Sequence, residues 1–324
     1  MTVLVTGGAG YIGSHMTYAL IDRGEDVVVL DNLSTGKRGL VSEKAKFVEG
    51  EVGDASLVRR TLRDFKVNAV IHFAGSIVVP ESVAQPLRYY ANNTMASRTL
   101  AEVCVETSVR NFIFSSTAAV YGSPSGTIVR EDDETAPINP YGRSKLMTEW
   151  MLADAAHAHD FRYMALRYFN VAGADSMLRT GQSTPRATHL IKRACQVALH
   201  RAPHLEIFVT DYPTADGTGV RDYIHVEDLV AAHLVALDAL RRGAAPAIYN
   251  CGSGRGYSVR QVIGALERLT GATLPVREGA RRAGDVAMLI ADSTRLQQEL
   301  DWRPAHQDLD AIVRSAFEWE RRIN

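Results

Sequence analysis

The run "TVLVTGGAGYIGSH" at the start of the chain narrows the fold more than any other feature. An apolar strand runs directly into Gly7, Gly10 and Gly13, and a helical segment follows. Glycines at that spacing allow a tight turn and let the backbone approach an anion, while the next helix aims its free N–H groups at it. The second apolar run, "DVVVL", ends in Asp31, 18 residues beyond Gly13. A carboxylate there can accept bonds from a ribose 2′-hydroxyl and repels a 2′-phosphate. The reading is a dinucleotide turn of a doubly wound α/β fold that favours NAD over NADP.

The runs "AVIHFAG", "NFIFSS" and "YMALRYFN" continue this pattern. Each reads as a buried strand of a parallel sheet, with helices between. Beyond Asn170 the chain changes character. "GADSMLRTGQSTPRATH" is polar and "DYPTADGTG" is rich in turn formers, although "RDYIHV" and "AIYNCG" read as further strands. We expect a dinucleotide-binding Rossmann domain over residues 1–170, with parts of 220–254 packing back on it. A smaller α/β substrate domain is expected over 171–324.

Bulk properties exclude several classes. The net charge of -1 gives no electrostatic reason to bind nucleic acid or an anionic membrane. Cys104, Cys195 and Cys251 lie far apart, without the spacing of a zinc site or a disulfide framework. No apolar run is long enough to span a membrane, and no leader is visible. The expectation is a soluble cytoplasmic protein. His200 and His204 are separated by Pro203, which interrupts a helical metal pair, and His157 and His159 cannot face one another on a helix. The acidic run Glu131 to Glu134 reads as a solvated loop. Leu146, Met147, Trp150 and Met151 read as packing positions of a long helix.

That helix begins at "PYGRSK". Among twelve tyrosines and six lysines, only Tyr141 has a lysine four positions on, Lys145. The spacing puts both on one helix face. A free tyrosine is a poor base, with a pKa of about 10. Lowering it to near 7 requires about 4 kcal/mol. A cation about 5 Å away supplies about 3 kcal/mol at an effective dielectric of 20. Lys145 and an oxidised nicotinamide would be two such cations. "FSSTAAVYG" ends a strand shortly before and brings hydroxyls towards the carboxyl edge, where open α/β sheets bind ligands.

Together these residues resemble the extended short-chain dehydrogenase/reductase family, and within it the UDP-glucose 4-epimerases. The likeness covers essentially the whole chain. It rests on "VLVTGGAGYIGSH", "VVVLDNLSTG", "AVIHFAG", "NFIFSSTAAVYG", "PYGRSKL", "LRYFNVAGA" and, most specifically, "DYPTADGTGVRDYIHVEDL". The resemblance implies NAD-dependent 4-epimerisation of a UDP-sugar through a transient 4-keto sugar. Tyr141 would be the base, Lys145 would hold the nicotinamide ribose and help depress the tyrosine pKa, and Thr117 would relay the proton. Gly7, Gly10, Tyr11, Ile12 and Gly13 would form the pyrophosphate turn. Asp31 and Asn32 would hold the adenosine ribose, with Glu51 and Val52 beside the adenine. Phe73, Ala74, Gly75, Asn92, Ser115 and Tyr168 would complete the cofactor site. Asn170, His189, Leu190, Phe208, Arg221, Tyr223, Arg282, Asp285 and Leu289 would bind the nucleotide sugar. The resemblance also implies a homodimer through a four-helix bundle, formed by this helix and the segment "YYANNTMASRTLAEVC".

The chain departs from the family pattern at Ile77, Glu51, His189 and Val209. Leu289 is intermediate in size at the position that governs access of a 2-acetamido group, so UDP-N-acetylhexosamines and UDP-pentoses stay open as substrates. Three other functions compete. A 4,6-dehydratase would need an acid–base pair after Thr117, where Ala118 and Ala119 stand. A dehydrogenase would release an oxidised sugar. A dinucleotide sensor would have no need of Tyr141 and Lys145.

Overall fold

In the computed structural model, which describes residues 1–184, 188–279 and 286–323, the valine-rich runs become the centre of the molecule. The first half of the chain forms β1 (Thr2–Thr6), α1 (Tyr11–Asp22), β2 (Asp26–Asp31), β3 (Lys46–Glu49), α2 (Ala55–Asp64) and β4 (Ala69–His72). It continues through α3 (Val79–Ala84), α4 (Pro86–Tyr89), a π turn (Tyr90–Met95) and α5 (Ala96–Glu106) to β5 (Asn111–Thr117). Then come β6 (Ile128–Val129), α6 (Pro140–Ala158), β7 (Arg162–Tyr168) and β8 (Asn170–Ala172). The remainder forms α7 (Leu190–Ala198), β9 (Leu205–Ile207), β10 (Val220–His225), α8 (Val226–Arg241), β11 (Ala247–Cys251) and β12 (Gly256–Ser258). It closes with α9 (Val259–Thr270), β13 (Val276–Glu278), β14 (Met288–Ala291), α10 (Thr294–Leu300) and α11 (Leu309–Arg322).

Seven strands pair in parallel in the order β11-β7-β5-β4-β1-β2-β3. Side chains alternate across the sheet and feed two cores. Val3, Val5, Val27 and Val29 face α1 and α8 together with Met16, Leu20, Leu229 and Leu237. Leu4, Val28 and Leu30 face the other side with Val58, Leu62, Leu100 and Leu152 from α2, α5 and α6. Full burial of each such side chain is worth about 1.5–3 kcal/mol. These layers therefore hold the carboxyl edge of the sheet in a fixed frame.

The later strands form smaller sheets. β10 pairs antiparallel with β12 and in parallel with β14 and β8, while β14 also pairs with β6. β9 and β13 form a separate parallel pair. Helices α7, α9 and α11 close over a third core that includes Ile191, Val262, Leu266 and Ile312. Helix α9 is started by a capping box between Ser258 and Gln261 and ends at left-handed Gly271. Among the described residues, no helix is long and apolar enough to cross a membrane. All three cysteines are buried and free.

Some local expectations differ from the structure. Met147 and Trp150 are 37% and 57% exposed, whereas Leu146 is buried. Only part of that helix therefore packs inward. Glu131 is not purely solvated, because its carboxylate accepts a hydrogen bond from the Asn250 backbone N–H at 2.7 Å. Burial raises its pKa. His157 lies in the last turn of α6, but His159 has already left it in extended geometry.

Candidate active site

The glycine turn is built tightly. Gly7 has φ +70°, and a Cβ there would lie 2.6 Å from the Ala74 nitrogen at the end of β4. Gly10 caps α1 without a side-chain bond, and Tyr11, Ile12 and Gly13 form the first turn of the helix. The Tyr11 hydroxyl donates to the Gly173 carbonyl at 2.7 Å, tying this turn to the loop after β8. Burial drives its pKa up. Asp31 closes the turn from below, accepting the Ala9 N–H at 2.9 Å and the Leu33 N–H at 2.8 Å. Its carboxylate thus holds the turn in shape. Asn32 donates to both carboxylate oxygens of Glu51 at 3.1 Å, and Val52 is buried beside them.

Phe73, Ala74 and Gly75 leave β4 at the same edge. Phe73 packs on the His233 ring at 4.9 Å. Gly75 faces Asn93 and Lys145. Asn92 donates to the Ser76 hydroxyl at 2.9 Å. Its neighbour Asn93, missed by the sequence reading, is more deeply engaged. It accepts the Ser76 N–H at 2.7 Å and donates to the Ser76 carbonyl and the Ser144 hydroxyl. The π turn there shifts the helix face, so ordinary helical spacing could not choose between the two asparagines.

The hydroxyl site follows from local structure. Pro140 begins α6, and Asn139 caps it by accepting the Gly142 N–H at 2.9 Å. Gly142 lies so close to the turn after β5 that a Cβ would sit 2.5 Å from the Ala119 carbonyl oxygen. This contact seats Tyr141 beside Thr117, close enough for the threonine hydroxyl to act on the phenol. Tyr141 is half-buried; burial raises its pKa and the Thr117 hydroxyl pulls the other way.

Lys145 is buried, and its Nζ donates to the Ser115 carbonyl at 2.9 Å. It also stands 4.9 Å over the Phe114 ring. Burial lowers its pKa to about 8. The groups acting on Tyr141 are burial and Thr117, while one of the three Lys145 N–H groups is taken by the Ser115 carbonyl. The Ser115 hydroxyl pairs with the Tyr168 hydroxyl, whose pKa burial also raises.

The remaining residues gather around β10. Asn170 stands opposite Tyr223 in the β8–β10 register, and Arg221 stands opposite Leu289 in the β10–β14 register. Arg221 donates to the Val220 carbonyl at 2.9 Å. Burial pushes the Tyr223 pKa up to about 12. Leu289 packs against the small cluster of Val120, Tyr121, Val129 and Leu146. His189 caps α7 ahead of Leu190, and shares a cleft with Tyr11 and Gly173. Burial lowers its pKa. Half-buried Phe208 follows β9, next to buried Val209. Ile77 is 45% exposed. Arg282 and Asp285 lie outside the described residues.

A second network, also missed by the sequence reading, supports the hydroxyl site. Glu149 accepts from the Nε and Nη2 groups on one edge of the Arg167 guanidinium, at 3.0 Å and 2.6 Å, and from the Ser116 hydroxyl. Arg167 also donates to the Tyr121 hydroxyl, which donates to Asn250 at 2.7 Å. Ser116 precedes Thr117, and Glu149 shares α6 with Tyr141. In sequence these residues carry no signal beyond ordinary charge.

The "NAD dependent epimerase/dehydratase family" model matches residues 3–252. The chain is 56% identical over 321 residues to a UDP-glucose 4-epimerase of Azospirillum brasilense, covering 99% of this chain and 92% of that one. This chain belongs to the NAD dependent epimerase/dehydratase family. Solved structures resemble this chain over nearly its full length. A UDP-glucose 4-epimerase from Brucella ovis in complex with NAD is 45% identical with a TM-score of 0.95, covering 98% of this chain and 97% of its own. The UDP-Glc/GlcNAc 4-epimerase of Campylobacter jejuni is also 45% identical, with a TM-score of 0.87 and 99% coverage of both chains.

Proposed function

We propose that this chain interconverts UDP-glucose and UDP-galactose with bound NAD through a transient 4-keto sugar. The observation that carries the proposal is the placement of Tyr141 beside Thr117, on one helix with buried Lys145, at the carboxyl edge of the sheet. Ala118 and Ala119 follow Thr117 and can neither give nor take a proton, which argues against elimination of water. Full-length likeness to UDP-glucose 4-epimerases supports the same reading.

The residues fit the dinucleotide. Gly7 lets the turn lie against the Ala74 backbone more closely than a side chain would allow, and the first turn of α1 presents N–H groups without a side-chain cap. In this reading residues 1–170, with parts of 220–254, hold NAD, and residues 171–324 hold the nucleotide sugar. Gly7, Gly10, Tyr11, Ile12 and Gly13 take the pyrophosphate. Asp31 and Asn32 take the ribose, with Glu51 and Val52 at the base. Bound NAD supplies reversible hydride acceptance at the sugar C4.

The chain's own groups handle the proton. Thr117 orients the sugar 4-hydroxyl and Tyr141 takes its proton. Burial holds Tyr141 above its ordinary pKa, so the downward pull must come from positive charge close to the ring. One cation at about 5 Å gives about 3 kcal/mol, or roughly two pKa units. Lys145 would hold the nicotinamide ribose and add to that pull. Tyr141 then returns the proton after the keto sugar has turned over. Arg221, with Tyr223, anchors the diphosphate during this turn; a guanidinium suits that task because it is a fixed fork of donors.

Leu289 leaves a related reading. The likeness to the UDP-Glc/GlcNAc enzyme supports a pocket that also takes 2-acetamido sugars. We also propose a homodimer. Leu87, Met95, Met147 and Trp150 project from α4, the π turn and α6 with 79%, 53%, 37% and 57% exposure. Such an apolar face suits a four-helix contact with a second copy.

The test is incubation with UDP-galactose without added cofactor, following UDP-glucose and the absorbance of reduced NAD. Interconversion without net reduced NAD is expected. Stoichiometric reduced NAD would make the chain a dehydrogenase, and loss of water from the sugar would make it a dehydratase.

A further inference from the structure

At the far end of β10, three side chains from separated parts of the sequence meet. They are His225, the last residue of β10, Glu227 in the first turn of α8, and His306 in the segment between α10 and α11. We propose that they bind one divalent cation of the zinc class, separate from the candidate active site.

The donor atoms are suitably placed. His225 Nδ1 lies 3.9 Å from Glu227 Oε2, which lies 3.6 Å from His306 Nε2. One atom from each residue falls within 4.8 Å of the others. Ligands at about 2.0–2.1 Å around a tetrahedral ion stand about 3.3 Å apart, so the two histidines each close on Glu227 by roughly 0.3–0.6 Å and on one another by at most about 1.5 Å to complete the site. The two rings stack at 4.3 Å with an interplanar angle of 26°, so the more exposed His306 ring turns to bring its in-plane lone pair onto the ion.

Surrounding hydrogen bonds turn the correct atom of each residue inward. Asp228 accepts from His306 Nδ1 at 3.1 Å. An ionised carboxylate can only accept, so that nitrogen carries the proton and Nε2 keeps its lone pair. Asp228 is itself buried and held by the Ala305 and His306 N–H groups at 2.8 and 2.9 Å. The Ser315 hydroxyl donates to the Ile312 carbonyl, so it accepts from His225 Nε2 at 3.0 Å. This leaves the lone pair of His225 on Nδ1. Glu227 uses Oε1 to accept the Ser176 N–H at 2.8 Å, leaving Oε2 for the cation. Such outer partners fix the tautomer and aim of metal-binding histidines.

The cation must displace one existing bond, the 3.1 Å contact from the Glu227 N–H to His225 Nδ1. That exchange gives up a neutral hydrogen bond for a metal–imidazole bond, and Glu227 offsets part of the charge. Side-chain exposures of 26% for Glu227 and 38% for His306 give the ion a route without unfolding. Water takes the fourth position, as in zinc sites with three protein ligands. The ion clasps the start of α8 to the segment before α11.

The test uses metal-stripped full-length protein. Co²⁺ is titrated as an optical probe, Zn²⁺ is titrated by calorimetry, and the thermal midpoint is followed with and without Zn²⁺. One ion per chain, a tetrahedral Co²⁺ spectrum displaced by Zn²⁺, and a raised midpoint are expected. His306→Ala and Glu227→Gln, each checked for native circular dichroism, are expected to weaken binding at least tenfold and lose the midpoint shift. If the parent binds no ion, or if both variants bind as tightly as the parent, the proposal is overturned.

Discussion

Replacing Glu149 by leucine should reveal how strongly the hydroxyl site depends on a buried charge pair. Glu149 and Arg167 have side-chain exposures of 2% and 5% and share a 2.6 Å contact. Burial lowers the Arg167 pKa, but its bonds to Glu149 and Tyr121 more than offset this, and the net direction is upward. Leucine would leave the guanidinium buried without its counter-charge, and loss of one partner in such a pair costs about 3–5 kcal/mol. The Ser116 hydroxyl would lose its acceptor as well, which adds about 1 kcal/mol. Domain stabilities are about 5–15 kcal/mol, so Glu149→Leu alone should remove a large share. The double variant Glu149→Leu/Arg167→Met should recover most of the loss, because an apolar pair of similar volume removes the stranded charge. Urea unfolding followed by circular dichroism measures both variants. A single variant within about 1 kcal/mol of the parent, or a double variant no better than the single, would refute the reasoning. Turnover should fall in both, because Ser116 and Glu149 set the approach of Thr117 and Tyr141.

Other outcomes follow from the geometry. Tyr141→Phe should lower turnover by orders of magnitude while NAD stays bound, measured by steady-state assay and cofactor content. Gly7→Ala should lose NAD retention, because the new Cβ meets the Ala74 backbone at 2.6 Å in a left-handed conformation. Burial lowers the His72 pKa to about 3. Its stabilising neutral form is complete above the unfolded value of about 6.5 and is lost as pH falls through that window towards the folded value. His72→Gln should therefore flatten the stability profile between those limits, read by thermal melts at stepped pH. Trp150→Glu should shift the protein to monomer in sedimentation velocity while leaving its circular dichroism unchanged.

What the sequence conveyed well was repeated apolar character. β1, β2, β4, β5 and β7 are runs of Val, Ile, Phe and Leu bounded by turn residues, so their burial on both faces was readable. β10 and β11 were readable for the same reason. β3, with the sequence KFVE, is an edge strand with one apolar pair, too short to stand out. β6 spans only Ile128–Val129 and exists because β14 pairs with it. The site was legible where chemistry depends on spacing, as in Tyr141 and Lys145, or on backbone freedom, as in Gly7. It was not legible where a role depends on a distant partner. Nothing in the sequence tells that Arg167 reaches Glu149, that Lys145 donates to the Ser115 carbonyl, or that Asp31 holds Ala9. His225 and His306 likewise meet only through the closure of α8 against the final helices.

The position of β11 has a consequence for synthesis. It lies at the edge of the seven-stranded sheet and covers β7, although its residues come from Ala247–Cys251. A ribosome that has released only the first 170 residues therefore presents β7 with one side of its backbone unpaired. Helix α8, which covers one face of that sheet, is also still to be made. The seven-stranded sheet cannot reach its final form until the chain has run through β10 and returned. A fragment cut at residue 170 should expose a sticky strand edge and aggregate, whereas cuts beyond Cys251 leave the central sheet complete.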